Sequence, residues 1–117
     1  MNQRKVGSQY EILAAEYLTE NGMKVVETNF RNRQGEIDII GYHKGYLVFT
    51  EVKYRKTQVA GHPVEAVTWA KQKKRCMVAD FYRYRHRISD QMPIRYDVIA
   101  ILKDNIEWYQ NAFYHQS

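Results

Sequence analysis

Cysteine is almost missing from this chain: Cys76 stands alone among 117 residues. One thiol closes no internal disulfide, and neither paired cysteines nor a Cys/His metal motif is present, so a disulfide scaffold and a zinc module are both excluded. Long apolar runs are missing too. None approaches the length of a membrane span, and no apolar core follows Met1-Asn2-Gln3-Arg4-Lys5 as a secretory signal requires. Internal repeats, low-complexity tracts, linkers, a Gly-rich phosphate loop and a dinucleotide fingerprint are likewise absent. These absences lead to the expectation of a cytoplasmic protein with no membrane partner.

Negative charge is the scarcer sign. There are 13 Asp and Glu against 18 Lys and Arg, for a formal net charge of +5 and a pI near 9.3. A basic surplus on a small domain suits a polyanionic partner. Apolar residues make up 44% and aromatics 14%, which argues for a folded globule rather than disorder. A chain of 117 residues builds one modest core and not two, so a single domain over residues 1–117 is expected.

The sequence is organised around Gly35 to Arg55. The runs Gly35-Glu36-Ile37-Asp38-Ile39-Ile40-Gly41 and Tyr46-Leu47-Val48-Phe49-Thr50-Glu51-Val52-Lys53-Tyr54-Arg55 flank Tyr42-His43-Lys44-Gly45, a hairpin pattern. Glu51 and Lys53 lie two apart and project from one strand face, and pairing of the strands can bring Asp38 to the same side. Two carboxylates about 4 Å apart repel by roughly 4 kcal/mol at an effective dielectric near 20. Desolvation adds to that penalty, so such a cluster calls for a cation. Hard oxygen ligands suit Mg²⁺ or Mn²⁺, and Mg²⁺ is typically held by one or two carboxylates plus substrate phosphate. Asp38 with Glu51-x-Lys53 is therefore the residue set of a metal-dependent phosphodiesterase. The plainer alternative is a Glu51–Lys53 ion pair at a solvated strand end. Glu36 shares the face of Asp38 by the period-two rule, with solvent as its favoured environment.

The rest of the chain frames that stretch. Arg4 to Asn21 reads as an amphipathic helix, with Tyr10, Leu13, Ala14, Tyr17 and Leu18 at helical spacing and Gly22 as its C-terminal cap. Glu11 falls on the flank of that apolar face, either as a dipole-facing surface acid or as a third acid reaching the cluster. Met23 to Arg31 is a first strand, followed by a turn carrying Arg33. Tyr54 to Pro63 has no periodicity and reads as a mobile loop, with His62 a surface histidine before proline. Val64 to Arg87 is helical, with a break expected near its end, and Lys71 and Lys74 are placed on its apolar stripe. Lys71, Lys73, Lys74, Arg75, Arg83, Arg85 and Arg87 face only Asp80 in opposition, and Tyr82 and Tyr84 interleave with them, which suits salt-sensitive phosphate contacts with stacking. Ile94 to Leu102 is a buried strand carrying Arg95 and Asp97, Ile106 to Phe113 is the last strand, and the tail is expected to fray. Helix, three strands, basic helix, two strands gives an α/β layer domain.

As a set, Gly35-Glu36-Ile37-Asp38-Ile39-Ile40 and Val48-Phe49-Thr50-Glu51-Val52-Lys53-Tyr54-Arg55, with Gly7, Glu11, Tyr17-Leu18, Gly22, Asn29-Phe30-Arg31, Ala66-Val67, Lys71 and Arg95-Tyr96-Asp97-Val98, resemble the bacterial YraN-like family, grouped with the PD-(D/E)XK nucleases near the archaeal Holliday junction resolvases. The resemblance implies a restriction-endonuclease-like core, a mixed β-sheet of about five strands flanked by helices. It implies Asp38 and Glu51 as metal ligands, Lys53 as the catalytic lysine and Glu11 as an additional ligand. Two positions depart from the family pattern: Tyr10 where glycine is usual, and Arg75 where an aliphatic residue is usual.

The function expected on these grounds is Mg²⁺- or Mn²⁺-dependent endonucleolytic hydrolysis of phosphodiesters in structured DNA, such as junctions or branches. Asp38, Glu51, the Val52 carbonyl and Glu11 are the expected metal ligands, with Asp38, Glu51 and Lys53 catalytic. Arg31, Arg33, Arg55, Lys71, Lys73, Lys74 and Arg75 are the expected nucleic-acid contacts, and a homodimer meeting a branched substrate is compatible with them. The alternatives are a module that keeps the nuclease shape and binds nucleic acid without cutting it, and a protein–protein adaptor.

Overall fold

In a computed structural model, which describes residues 3–56 and 61–117, the chain runs α1 (Gln3–Glu20), β1 (Lys24–Asn32), β2 (Gly35–His43), β3 (Tyr46–Arg55), a 3-10 turn (Pro63–Ala66), α2 (Trp69–Arg85), β4 (Ile94–Leu102) and β5 (Asn105–Phe113). α1 stops at the expected cap: Gly22 takes φ 101°, and the Met23 amide donates back to the Leu18 carbonyl at 2.9 Å. Lys44 and Gly45, both at positive φ, close the predicted hairpin and set His43 opposite Tyr46. The strands form one sheet in sequence order, antiparallel except for β3 beside β4. A parallel pair needs a crossover, and α2 supplies it. This is a mixed five-stranded sheet flanked by two helices, an α/β fold consistent with the expected restriction-endonuclease-like core.

Each helix covers one sheet face. Ala14 and Leu18 of α1 pack on Met23, Ile39, Val48, Ile99 and Ile101. Cys76, Val78, Ala79 and Tyr82 of α2 pack on Phe30, Ile40, Leu47, Phe49 and Tyr96. Strand alternation divides the two sets, with Val48 turned to α1 and its neighbours Leu47 and Phe49 to α2. Burying each such side chain is worth roughly 1.5–3 kcal/mol, which anchors both helices to the sheet. Among the described residues no helix is long and apolar enough to cross a membrane.

Three expectations are corrected. The helix expected over Val64–Arg87 is broken at its start, not its end: the Thr68 hydroxyl accepts the Lys71 amide as an N-cap, so α2 begins at Trp69. That cap resets the helical phase, and Lys71 and Lys74, counted onto the apolar stripe from Val67, are exposed. The tail does not fray, because the Tyr96 hydroxyl meets His115 Nδ1 at 2.7 Å and Gln116 bonds Gln72 at 2.9 Å. Of the loop read over Tyr54–Pro63, residues 57–60 lie outside the described residues.

One polar network is sealed into the sheet. Asp97, 1% exposed, accepts Arg95 Nε and Nη2 at 2.9 and 2.8 Å, Trp108 Nε1 at 2.8 Å and the Asn111 amide at 2.9 Å. Arg95 also donates to His43 Nδ1 at 2.9 Å, so the neutral ring carries its proton on Nε2. Burial first, and then the Arg95 charge, push the His43 pKa down. Removing one member of a buried pair strands the other, at a cost of about 3–5 kcal/mol. Asp97→Ala should destabilise the protein by that amount in urea denaturation, and a loss under about 1 kcal/mol would mean that Arg95 is rehydrated in place.

Candidate metal centre

β2 and β3 pair only from Ile39 opposite Thr50 to His43 opposite Tyr46. Beyond Ile39 the strands part, and Asp38 and Glu51 are the first residues past the end of the ladder. On the other side of β2, Asn29 and Asp38 drop out of the β1–β2 register, with Asn29 at φ 55°. Side-chain alternation slips there: Ile37 and Ile40 pack on the α2 layer, while Ile39 packs on the α1 layer. The freed Val52 amide finds a side chain instead of a strand, donating to Asp38 Oδ2 at 2.7 Å. A buried amide needs a partner, so this bond holds the carboxyl in the gap.

Glu11 of α1 and Glu36 and Asp38 of β2 each bring a carboxylate oxygen within 4.8 Å of the others. Their electrostatics follow. The Asp38 pKa is raised from 3.8 to about 7, chiefly by burial and also by the charges of Glu51, Glu11 and Glu36, against the Val52 hydrogen bond that lowers it. Burial also raises the Glu11 pKa, opposed by a hydrogen bond from Asn29 and by Arg31, and supported by Glu36. With Glu36 beside these two raised acids, the three carboxyl groups form a set of hard oxygen donors matched to a small divalent cation. Glu36, expected to face solvent, belongs to this set. Its outer side is shielded by Arg31 at 3.7 Å.

Glu51 behaves differently. It continues the alternation of Leu47 and Phe49 toward α2, and its Oε1 accepts both Lys53 Nζ and Arg75 Nη2 at 3.0 Å. Asp38 and Glu51 therefore sit together at the parted end of the sheet, close enough that the Glu51 charge leads the neighbouring charges that raise the Asp38 pKa. Glu51 Oε2 is buried with no hydrogen-bond partner among the described residues. Val52, whose carbonyl is an expected ligand, also contributes its amide to Asp38.

The expected basic contacts also divide. Arg31 and Arg75 reach the acids, and Arg55 lies beside Lys53 in a recess next to β5. Arg33 is exposed in the β1–β2 turn. Lys71, Lys73 and Lys74 are exposed, and Lys73 lies 5.4 Å over the ring of Trp69. Both departures from the family pattern are used: Arg75 grips Glu51, and Tyr10 stacks on Tyr54 with centroids 3.6 Å apart, seating α1 over the end of β3. The reach of Arg75 escaped sequence reasoning because the helical phase was counted across Thr68; starting the count at that cap, visible as a Thr before an apolar residue, sets Arg75 just before buried Cys76.

Fold and site together define an α/β protein with an acidic cluster where two strands part beneath the first helix. The chain belongs to the uncharacterised protein family UPF0102, whose family model matches residues 10–101. It is 42% identical over 113 residues to a UPF0102 protein of Lachnoclostridium phytofermentans, covering 97% of this chain and 96% of that one. It is 41% identical to a UPF0102 protein of Legionella pneumophila strain Philadelphia 1, with 97% of each chain covered, and 40% identical to one of Marinobacter nauticus, covering 93% and 92%. The resemblance read from the sequence holds at the level of this family.

A buried acid with a raised pKa weakens the fold as it ionises. Below pH 3.8 both folded and unfolded states hold the Asp38 proton; between 3.8 and about 7 only the folded state does, so stability falls as pH rises and levels off above that range. The ion-free protein should lose up to about 4 kcal/mol across this window. Asp38→Asn, which keeps an acceptor for Val52, should remove most of that slope and stabilise the protein at pH 8. Equal slopes in the two proteins by chemical denaturation would show that Asp38 ionises freely.

Proposed function

We propose that this protein is a metal-dependent nuclease of the PD-(D/E)XK type, acting on structured DNA. The observation that carries the reading is the gathering of Glu11, Glu36 and Asp38 within 4.8 Å, in a setting that penalises the charge of Asp38 and Glu11. Such an arrangement costs stability and is offset when a divalent ion neutralises it. The donor set suits Mg²⁺ or Mn²⁺, with Glu11, Glu36 and Asp38 holding the ion. When bound there, the ion supplies positive charge for a phosphoryl oxygen and lowers the pKa of a water.

The chain's own side chains then have separate tasks. The Val52 amide fixes Asp38, so the carboxylate needs no reorganisation on binding. Lys53 is held at the mouth of the gap by Glu51 and presents an ammonium to charge building on the phosphoryl group. Arg75 shares the Glu51 charge and frees part of the Lys53 cation for that role. Arg31 and Arg55 lie on either side to draw in a phosphate backbone.

A second reading, a nucleic-acid-binding module that does not cut, is favoured by one observation: Lys53 and Arg75 both engage Glu51 Oε1, so this acid is already neutralised without an ion. Labelled junction, flap and single-stranded DNA in Mg²⁺, Mn²⁺ or EDTA separates the two. The nuclease reading expects metal-dependent products that vanish in Asp38→Asn. Lys53→Ala should keep the fold and DNA binding while cleavage falls about 10²–10³-fold, the usual worth of a donor to transition-state charge. Salt-sensitive binding with no products from the wild-type protein in either metal would select the module.

A further inference from the structure

On the sheet face that carries Lys53, the ends of β3, β4 and β5 enclose a recess of about 250 Å³. Its floor is Ala100, which lies in register with Lys53 on one side and Glu107 on the other. A single methyl group between two long side chains is what leaves the space open. Lys53 and Arg55 form one wall, Glu107 and Tyr109 the facing wall, and His62 the rim.

The chemistry of the walls is mixed in a particular way. The His62 Nδ1 accepts the Val64 amide at 3.1 Å, so the neutral ring carries its proton on Nε2 and offers a donor there. His62 sits edge-on to Tyr109 with centroids 4.5 Å apart. The Tyr109 hydroxyl donates to Glu107 Oε2 at 2.6 Å, which fixes the carboxylate and leaves it lone pairs to spare. Among the described residues no acid pairs with Arg55. The recess thus offers donors, an acceptor and aromatic carbon within one small volume. A phosphate would meet the Glu107 carboxylate. A nucleobase, with donors and acceptors along one edge and a flat apolar ring, matches all three features.

We propose that this recess receives one unpaired nucleobase of the strand whose backbone lies at Lys53, an inference that rests on the nucleic-acid reading above. A paired base has its edge occupied and its faces stacked, so it enters only after leaving the helix. The recess therefore selects strands that already carry an unpaired base, at a flap, fork or single-stranded gap, over continuous duplex.

The test uses flap DNA carrying 2-aminopurine at each unpaired position in turn, and the same DNA with an abasic site at each. With the full-length protein, 2-aminopurine fluorescence should change sharply at one position, and an abasic site there should weaken binding about tenfold, the scale of one stacked base. Ala100→Leu, which fills the floor, should erase that difference without weakening binding to continuous duplex. His62→Ala, an exposed position, should do the same and decides the matter if the leucine variant fails to fold. Abasic flaps bound as tightly as the parent, or duplex bound as tightly as flap, would overturn the recess and leave the nuclease reading standing. Failure to bind any of these DNAs would overturn both, and since no cleavage is read, a protein that binds without cutting still gives an answer.

Discussion

The hydrogen bond from the Val52 amide to Asp38 Oδ2 is the contact on which the rest of this molecule turns. It exists because β2 and β3 stop pairing after Ile39 and Thr50, leaving a strand amide without a strand. A side chain takes the place of the missing ladder, and a carboxyl group is thereby fixed in a gap that would otherwise close. Two more acids and one base gather around it. Glu11 comes down from α1, Glu36 arrives from two residues back on β2, and Arg31 screens the outer side.

The sheet supports this arrangement from both faces. The α1 layer, centred on Ala14, Leu18, Ile39 and Val48, fixes how far Glu11 reaches, and the Tyr10–Tyr54 stack sets where the helix sits over β3. The α2 layer places Arg75 against Glu51. One strand, β3, therefore carries three successive groups with different partners: Glu51 toward Arg75, the Val52 amide toward Asp38, and Lys53 back toward Glu51. The consequence is a site with an acidic half and a basic half that meet across a single peptide. An anionic substrate bridging a cation and Lys53 fits that polarity, whereas a plain surface salt bridge needs neither the gap nor the crowding.

Much of this was legible in the sequence, and the failures have physical causes. The hairpin, the Gly22 cap and the five strands follow from local rules, and local rules governed them. The slip in alternation between Ile37 and Ile39 did not, because the period-two count assumes an unbroken ladder and the Asn29–Asp38 pair drops out of it. Arg75 was read as one more cation on a basic helix because the phase was counted through the Thr68 cap. The Asp97 network joins His43, Arg95, Trp108 and Asn111, and no short window of sequence contains such a set. The docked tail depends likewise on Tyr96 and Gln72, far behind it in the chain.

The central claim is that the three acids are crowded because a divalent ion belongs among them. Crystals grown without metal and then soaked in Mn²⁺ test this directly through anomalous scattering at the manganese edge. The account predicts one strong peak bounded by Glu11, Glu36 and Asp38, at the oxygen-ligand distance of about 2.0–2.6 Å typical of small divalent ions. No peak there at millimolar Mn²⁺, with the three carboxyl groups hydrogen-bonded to one another, would contradict it.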